Sequence, residues 1–231
     1  MKTSVIIPTL NEAENITRLV HRLRDGGSDH LTEVIVVDAG SADDTQHLAK
    51  AAGATVLCAD CRSRARQMNL GAAAARGELL YFVHGDTLPP PDYMNNIQSA
   101  LTDGYPIGCF RFRFNSNRSL LKINSFMTRF NRMFVRGGDQ SLYVTREVFD
   151  QLGGYREDFI IMEEYDFIEK AQKNYPFRII PNEVLVSARK YDHNSYLKVQ
   201  IANATVFTMY RLGFSQQRLK ATYRRMLDYR H

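Results

Sequence analysis

Three carboxylates stand within four residues in the segment Glu163–Asp166. Like charges this close raise one another's pKa, and a carboxylate with a raised pKa is suited to act as a general base. The same composition is typical of the acidic first turn of a helix, where the helix dipole favours negative charge. In a helix, Glu163 and Asp166 share a face and Glu164 points about 100° away. Only some of these carboxylates can therefore enter one site.

Two more acidic residues each follow an apolar run. Asp38 comes after Val34–Val37, and Asp86 comes after Leu79–Val83. A carboxylate left unpaired beside a buried strand is costly, so Asp86 is a candidate metal ligand and Asp38 a candidate acceptor for a nucleotide base. Both residues also fit as turn caps, a common role of aspartate. The residue types alone leave these two interpretations open.

Three arginines, Arg62, Arg64 and Arg66, cluster at the start of a predicted alanine-rich helix. Arginines in this position can hold phosphate oxygens through paired hydrogen bonds. A solvated helix face would show the same pattern. Phosphate binding and simple solvation are therefore both open for this cluster.

Alternating strand-like and helix-like periods in the first hundred residues must position these groups. Four apolar runs predict strands at Ser4–Ile7, Glu33–Asp38, Ala54–Cys58 and Leu79–Val83. Helical spacing predicts helices between them, around Ile16–Leu23, Asp43–Ala52 and Arg62–Arg76. This βαβαβαβ order predicts an α/β fold with a mostly parallel sheet, in which ligands bind beyond the carboxyl ends of the strands.

The second half of the chain is less regular. Strands are predicted at Ile107–Phe114, Ser141–Val144, Phe177–Ile180 and Val184–Ala188. Helices are predicted at Leu120–Phe134, Glu163–Lys173, Tyr196–Leu212 and Ser215–Tyr229. Residues 137–140, which begin with two glycines, are expected to form a loop before the strand that follows.

The composition is that of an ordinary globular protein, with 44% hydrophobic and 24% charged residues. No apolar run reaches the roughly 18 residues of a membrane-spanning helix, and no signal-peptide pattern opens the chain. A cytoplasmic location is therefore the expectation. The formal net charge of +5 conceals two basic segments. Residues 111–136 carry seven Arg/Lys and no acid, and residues 195–231 carry seven against one acid.

The basic segments bear on the partners that the protein could have. No nucleic-acid partner is expected, because no recognised motif is present and the rest of the chain is acidic. The predicted C-terminal helices have apolar faces formed by Val199, Ala202, Val206, Met209 and Tyr210, and by Leu219, Tyr223, Met226 and Leu227. Basic amphipathic helices make peripheral contact with anionic membranes. The alternative, which we favour, is that these faces pack on the core of the domain.

Five segments, in this order along the chain, resemble family 2 glycosyltransferases of the GT-A fold, an inverting class. They are Ser4–Ile16 (SVIIPTLNEAENI), Val34–Thr45 (VIVVDAGSADDT), Arg64–Thr87, Gly137–Tyr155 (GGDQSLYVTREVFDQLGGY) and Ile161–Phe167 (IMEEYDF). Two shorter segments also resemble a small subgroup usually labelled rSAM/selenodomain-associated transferase 2. These are Ser187–Arg189 (SAR) and Tyr210–Gly213 (YRLG).

The resemblance implies one GT-A domain over residues 1–231, a Rossmann-like three-layer α/β/α fold. Residues 1–104 would form the nucleotide-sugar-binding half, residues 105–190 the acceptor and catalytic half, and residues 191–231 the C-terminal helices. The reaction would be inverting transfer of a sugar from a nucleotide-diphosphate sugar to an acceptor hydroxyl. Asp86 would bind Mn²⁺ or Mg²⁺, and Glu164 would be the catalytic base, with Glu163 as its rival. The nucleotide sugar would be lined by Pro8, Thr9, Asn11, Glu12, Asp38, Arg66 and Gly85.

Two positions depart from the family pattern. The D-x-D metal-binding region reads His84-Gly85-Asp86, so its first carboxylate is missing. The usual Glu-Asp pair reads Glu163-Glu164, which places a side chain one methylene longer where the base aspartate would stand. These departures support an alternative function. The chain would then be a catalytically degenerate protein that keeps the fold and binds nucleotide sugars, or regulates, without turnover.

Overall fold

A computed structural model describes residues 1–227, and Asp228 and Tyr229 of the last predicted helix lie outside the described residues. The strands are β1 (Thr3–Thr9), β2 (Leu31–Asp38), β3 (Thr55–Cys58), β4 (Leu79–Phe82), β5 (Thr87–Leu88), β6 (Ile107–Phe114), β7 (Leu142–Thr145) and β8 (Phe177–Val186). The helices are α1 (Ala13–Gly26), α2 (Thr45–Ala51), α3 (Arg64–Ala74), α4 (Tyr93–Thr102), α5 (Ser119–Met127), α6 (Arg146–Gln151), α7 (Glu163–Asn174), α8 (Tyr196–Arg211) and α9 (Gln216–Met226).

The strands form one sheet in the order β3-β2-β1-β4-β7-β6-β8-β5. Strands β1 to β4 run parallel, as the βαβ pattern of the first half predicts. Strand β7 is antiparallel to both of its neighbours, β4 and β6, and β8 returns parallel to β6. The short strand β5 pairs antiparallel with the end of β8. The sheet is therefore mixed, with its parallel half built entirely from the N-terminal residues.

Two apolar clusters cover the two faces of the sheet. Alternate residues of β1 point to opposite sides, so Val5 and Ile7 join one cluster and Ile6 joins the other. Helices α1, α2 and α4 cover the first face, and α3, α6 and α7 cover the second. This arrangement confirms the predicted three-layer α/β/α fold.

Several predicted elements differ from the observed ones. Strand β1 continues through Pro8 to Thr9, whereas the sequence predicted that it ends at Ile7. Helix α4 was not predicted, although Tyr93, Met94, Ile97 and Ala100 provide the buried side of its helical pattern. The two strands predicted at 177–180 and 184–188 are one strand, β8. A register shift against β6 between Phe110 and Arg111 explains the two separate apolar runs.

The predicted helix Leu120–Phe134 is the other difference, because α5 ends at Met127. The chain then turns around the buried side chain of Arg136, which donates hydrogen bonds to the carbonyl oxygens of Thr128 (2.7 Å) and Phe130. Carbonyls turned toward a side chain cannot continue the helical ladder. Arg136 also donates to the Gln140 amide oxygen (3.2 Å), which links this turn to the predicted loop 137–140, observed as a short 3₁₀ turn.

The C-terminal helices pack on a third apolar cluster that includes Leu121, Tyr191, Val199, Ala202 and Leu227. Val206 and Leu219 are also buried. Packing on the protein, the alternative that we favoured, is therefore observed for the buried members of both faces, whereas Met209 and Tyr210 are only partly buried. Within residues 1–227, no helix combines the length and the apolar character needed to cross a membrane.

Candidate active site

The carboxyl ends of three neighbouring parallel strands meet at one edge of the sheet. Thr9 at the end of β1 lies in register with Asp38 at the end of β2. The segment His84-Gly85-Asp86 follows β4, the strand on the other side of β1. Buried Gln67 of α3 ties the first two ends together, because its amide donates to the carbonyl oxygens of Thr9 (2.9 Å) and Val37 (2.7 Å). The strand ends therefore meet as predicted, at the edge where open α/β sheets bind ligands.

The Asp38 carboxylate is fully buried and is occupied by its own turn. One oxygen accepts hydrogen bonds from the backbone amides of Gly40 (3.1 Å) and Ser41 (2.9 Å) and from the Gln46 side chain (2.8 Å). The hydroxyls of Thr9 and Ser41 donate to the other oxygen. Of the two interpretations left open by the sequence, turn capping is the interaction observed here. Contact with a nucleotide base stays a prediction.

The loop after β1 bends toward the loop after β2. Asn11 adopts a left-handed backbone conformation (φ 55°), which lets its side chain accept from the Ala42 amide and its own amide donate to the Ser41 hydroxyl, both at 2.8 Å. Pro8 and Thr9 are buried within β1, whereas Asn11 is exposed. Among these predicted nucleotide-contacting residues, Asn11 presents the most accessible side chain.

Asp86 lies beside an ion pair that the sequence did not predict. The Arg189 guanidinium, which follows β8, donates to both carboxylate oxygens of Glu12 (2.8 and 3.1 Å) and lies 3.9 Å from Asp86 Oδ2. Glu12 packs directly against Gly85, where a side chain would not fit, since a Cβ built on Gly85 would stand 2.8 Å from Glu12 Cγ. About 31% of the Asp86 side chain is exposed, so its carboxylate can receive a ligand from solvent.

Glu164, at the start of α7, faces His84 rather than open solvent. Its Oε1 lies 2.9 Å from His84 Nε2, and the other imidazole nitrogen lies 3.8 Å from Asp139. Gly138 closes over this pair, because a Cβ built on it would stand 2.0 Å from one Glu164 oxygen and 2.2 Å from His84 Cε1. The predicted base is therefore tied directly to the strand end that carries the predicted metal ligand.

The His84–Glu164 contact changes the acid–base character of both groups. Burial alone would lower the pKa of His84, but the adjacent Glu164 carboxylate outweighs burial and raises the pKa to about 10. The imidazolium in turn overcomes burial at Glu164 and holds the pKa of that carboxyl below its usual value. The expectation that clustered carboxylates raise one another's pKa is therefore wrong for Glu164, because a cation faces it.

Glu163 behaves as the sequence predicts. Burial raises the pKa of this carboxyl, with a further contribution from Glu164, although the opposing charge of Arg64 lowers it. Arg64 Nη1 lies 3.4 Å from Glu163 Oε1. Asp166 points elsewhere and pairs with Lys170 at 2.8 Å on its own helix. The three carboxylates of this segment thus have three different partners, as their helical directions require.

Arg66 is the predicted site residue that the structure does not bring to the others. Its guanidinium lies 3.6 Å from Asp60 and 3.4 Å from Glu157, on an exposed part of α3. Arg64, one of the three clustered arginines, is the one that turns toward the carboxylates of α7. His84, Asp139 and Arg189 complete the site without having been predicted. Their only sequence signal was their position immediately after apolar runs or within the quoted segments.

The structure and the site together define the class of protein. A mostly parallel sheet covered by helices on both faces, with polar side chains gathered at the carboxyl ends of β1, β2 and β4, is the GT-A type of glycosyltransferase fold. The model of glycosyl transferase family 2 matches residues 4–160. The chain therefore belongs to that family and is a glycosyltransferase.

Known proteins resemble this chain in sequence or in fold. An uncharacterized glycosyltransferase of Mycobacterium tuberculosis is 28% identical over 179 residues, which cover 73% of this chain and 68% of that protein. Among solved structures, a mannosyltransferase from Pyrobaculum calidifontis in complex with GDP-Man and Mn²⁺ superposes with a TM-score of 0.68 at 19% identity, over 89% of this chain and 61% of that one. Glucosyl-3-phosphoglycerate synthase from M. tuberculosis, bound to Mn²⁺, UDP and glucosyl-3-phosphoglycerate, gives 0.65 at 17%, over 92% and 80%.

Proposed function

We propose that this glycosyltransferase moves a sugar from a nucleotide-diphosphate sugar to an acceptor hydroxyl with inversion, in a reaction that depends on one divalent cation. Residues 1–104 would hold the nucleotide sugar, residues 105–190 would supply the acceptor side and the base, and residues 191–231 would add the C-terminal helices. The single observation that carries the proposal is the contact between Glu164 and His84. Through this contact the Glu164 carboxylate lies against His84, two residues before Asp86, at the edge where such sheets bind ligands.

Donor binding would use the edge formed by the loops after β1 and β2. Asn11, whose side chain is exposed, and the buried carboxylate of Asp38 both form hydrogen bonds with Ser41. Glu12 and Gly85 lie next to each other across the end of β1. The mannosyltransferase from Pyrobaculum calidifontis binds GDP-Man, and the M. tuberculosis glucosyl-3-phosphoglycerate synthase binds UDP. For this chain we therefore propose a nucleoside diphosphate as the invariant part of the donor.

Asp86 fits a divalent cation, although the surroundings do not form a closed cage. Among residues 1–227, no group of three or more His, Cys, Asp or Glu is arranged to hold a metal ion. Mg²⁺ typically takes one or two carboxylates and completes its shell with water and substrate phosphate, so a single exposed aspartate suffices. When bound, Mn²⁺ or Mg²⁺ would neutralise the charge that develops on the leaving diphosphate. Arg189, 3.9 Å from Asp86, is placed to contribute a second positive charge there.

Glu164 would accept the proton of the acceptor hydroxyl. His84 contacts Oε1, so the proton would pass to Oε2, which Gly138 covers in this structure. As the acceptor oxygen forms its bond to the anomeric carbon, the bond to the diphosphate oxygen breaks and its electron pair leaves with the diphosphate. The proton passes to Glu164 Oε2, and attack opposite the leaving group inverts the anomeric centre. The lowered pKa keeps the Glu164 carboxylate ionised at neutral pH, the form that accepts a proton, and makes it a weaker base than a carboxylate with a raised pKa.

A donor screen tests the proposal directly. Thermal unfolding would be followed with a set of nucleotide sugars, each with and without Mn²⁺, because a ligand that binds the folded state raises the apparent stability. Slow hydrolysis of the stabilising donor by water would then be measured as sugar release. We expect one nucleotide sugar to stabilise the protein in a Mn²⁺-dependent manner and to be hydrolysed.

The outcomes separate the proposal from its alternative. Mn²⁺-dependent stabilisation without any hydrolysis or transfer across a broad acceptor screen would identify a degenerate nucleotide-sugar-binding protein. Stabilisation that is the same with a metal chelator present would remove the metal from the proposal. If no nucleotide sugar changes the unfolding temperature, the proposed donor class is wrong.

A further inference from the structure

Helix α5 and the turn that follows it expose an unusual number of large apolar side chains. We call this set the α5 apolar surface. Its members, with their exposed fractions, are Leu120 (49%), Ile123 (52%), Phe126 (50%), Phe130 (44%) and Phe134 (57%). On α5, Ile123 and Phe126 lie on the side away from Leu121, which is buried in the third apolar cluster. The rings of Phe126 and Phe130 are in contact (centroids 5.7 Å apart), and exposed large apolar side chains grouped in this way mark interaction sites.

Positive charges border the α5 apolar surface. Lys122, Arg129 and Arg132 are exposed, and none of them is paired with a carboxylate in the part of the chain that the structure describes. The Arg129 guanidinium lies 3.9 Å above the ring of Phe126, so the cation and the aromatic ring share one surface. Residues 111–136 contain no acid at all. The charged side chains that this segment itself contributes beside the apolar ones are therefore all positive.

The α5 apolar surface continues toward the start of α8. Tyr196 donates a hydrogen bond of 2.9 Å to the Asn124 side chain, which joins the two helices. An open cleft of about 390 Å³ lies between them, lined in part by Arg118, Leu120 and Tyr196. Leu197, the next residue of α8, is 68% exposed. The apolar side chains of α5 therefore border a cleft rather than standing alone.

We propose that the α5 apolar surface docks this enzyme on a bilayer that contains anionic phospholipid. Leu, Ile and Phe would enter the boundary between headgroups and acyl chains, and the bordering Lys and Arg would meet the lipid phosphates. This surface differs from the C-terminal apolar faces, whose buried members are packed on the protein. The inference does not depend on the proposed reaction.

Other occupants fit the charge and chemistry less well. Two copies meeting through this surface would bring the positive borders of both chains together, and like charges in such contact are unfavourable. Nucleic-acid phosphates would satisfy the Lys and Arg side chains but would leave the exposed Leu and Ile in water. An anionic bilayer can receive the apolar side chains and also pair with the bordering Lys and Arg side chains.

Vesicle co-sedimentation tests the inference with the full chain. Wild-type protein would be mixed with vesicles of phosphatidylcholine alone or of equal parts phosphatidylcholine and phosphatidylglycerol, at low and high salt. We expect partition into the anionic vesicles, weakened by salt, and little partition into the neutral ones.

Two double variants separate the apolar from the charged component. Ile123→Ser/Phe126→Ser should lower the partition coefficient by about tenfold or more. Lys122→Gln/Arg132→Gln should lower it by roughly fivefold for each charge removed. The apolar control is Leu212→Ser/Phe214→Ser, which changes exposed residues roughly 24 Å along α8 from the end that contacts α5. The charge control is Arg18→Gln/Lys50→Gln, on α1 and α2.

Each outcome decides the inference. Loss of binding in both α5 variants, with normal binding by both controls and unchanged thermal unfolding, supports it. Equal losses in an α5 variant and its control, or binding that ignores lipid charge and salt, overturns it. Salt-sensitive RNA binding without vesicle binding, or a dimer that Ile123→Ser/Phe126→Ser dissociates in the absence of vesicle binding, also overturns it by assigning the surface to another partner.

Discussion

Replacing Glu164 with glutamine should separate the chemistry of the site from its stability. The substitution keeps the shape of the side chain but removes both its charge and its capacity to take a proton. A general base contributes typically 10²–10⁴-fold to turnover and little to donor affinity. We therefore expect Glu164→Gln to lower turnover by about that factor while nucleotide and metal bind as before.

The structure also sets the effect of this substitution on stability. The rise in the pKa of His84 from 6.5 to about 10 corresponds to roughly 5 kcal/mol of net stabilisation of the imidazolium, after the opposing effects of burial and Arg64. Breaking a buried ion pair generally costs about 3–5 kcal/mol. Since His84 can become neutral when its partner is lost, we expect about 3 kcal/mol at neutral pH.

The pH dependence of the free energy of unfolding provides a second test of the His84–Glu164 ion pair. The folded-state pKa of His84 is raised, so its stabilising contribution is complete below about 6.5 and declines as the pH rises toward about 10. Urea unfolding of the wild type should show this decline between the two values. Glu164→Gln should be less stable at neutral pH and should show a much flatter profile across the same range.

Glu163→Gln is the matched control for both measurements. Its partner Arg64 is half-exposed and 3.4 Å away, so solvent weakens the pair and the loss of stability should be smaller. Its turnover should fall by less than that of Glu164→Gln. If Glu163→Gln is instead the inactive variant and Glu164→Gln retains near-normal turnover, the base is Glu163. An unchanged pH profile in Glu164→Gln would refute the ion pair with His84.

Three further substitutions probe separate parts of the molecule. Asp86→Asn should abolish Mn²⁺-dependent binding of the nucleoside diphosphate, measured by calorimetric titration. The control Asp92→Asn, at an exposed position, should bind as the wild type does. Unchanged Mn²⁺ dependence in Asp86→Asn would exclude Asp86 as the metal ligand. Gly138→Ala should lower turnover by about 100-fold with normal donor affinity, because the new Cβ displaces the Glu164 carboxylate from its position against His84. Steady-state kinetics measure this effect. Wild-type turnover would mean that the loop moves and leaves Glu164 in place. Arg136→Met should destabilise the fold by about 3 kcal/mol in urea unfolding, because the Thr128 carbonyl loses its donor. Arg132→Met, at an exposed position, is the control and should have little effect. If both variants change the free energy of unfolding equally little, the role given to the buried arginine is wrong.

Much of the N-terminal half could be predicted because its signals are local. The apolar run Val34–Val37 forms the buried part of β2, and the spacing of Ile16, Leu19, Val20 and Leu23 gives the buried side of α1. Such periodicities report which side of an element meets the core, whatever the rest of the chain does. Parallel pairing of β1 to β4 then follows from the order of the elements.

The sequence-based predictions were less accurate where a contact with another part of the chain sets the bounds of an element. The sequence around α5 has a continuous basic and apolar pattern, and nothing local shows that Arg136 ends the helix at Met127. The strand β8 looks like two strands because its register against β6 shifts at Phe110. In both cases a contact with another element overrides the local pattern.

By itself the sequence determined the parallel sheet, the edge at which Asp38 and Asp86 stand, and the segment that carries the candidate base. Tertiary structure decided what those residues touch. Glu164 meets His84 across 80 residues of chain, and Glu12 meets Arg189 across 177. The physical reason is that α7 and the end of β8 approach the sheet edge through packing of their apolar sides, which the periodicity predicts only as burial. The polar partners that come together follow from that packing, and they reverse the direction of the Glu164 pKa shift that the neighbouring acidic residues had suggested.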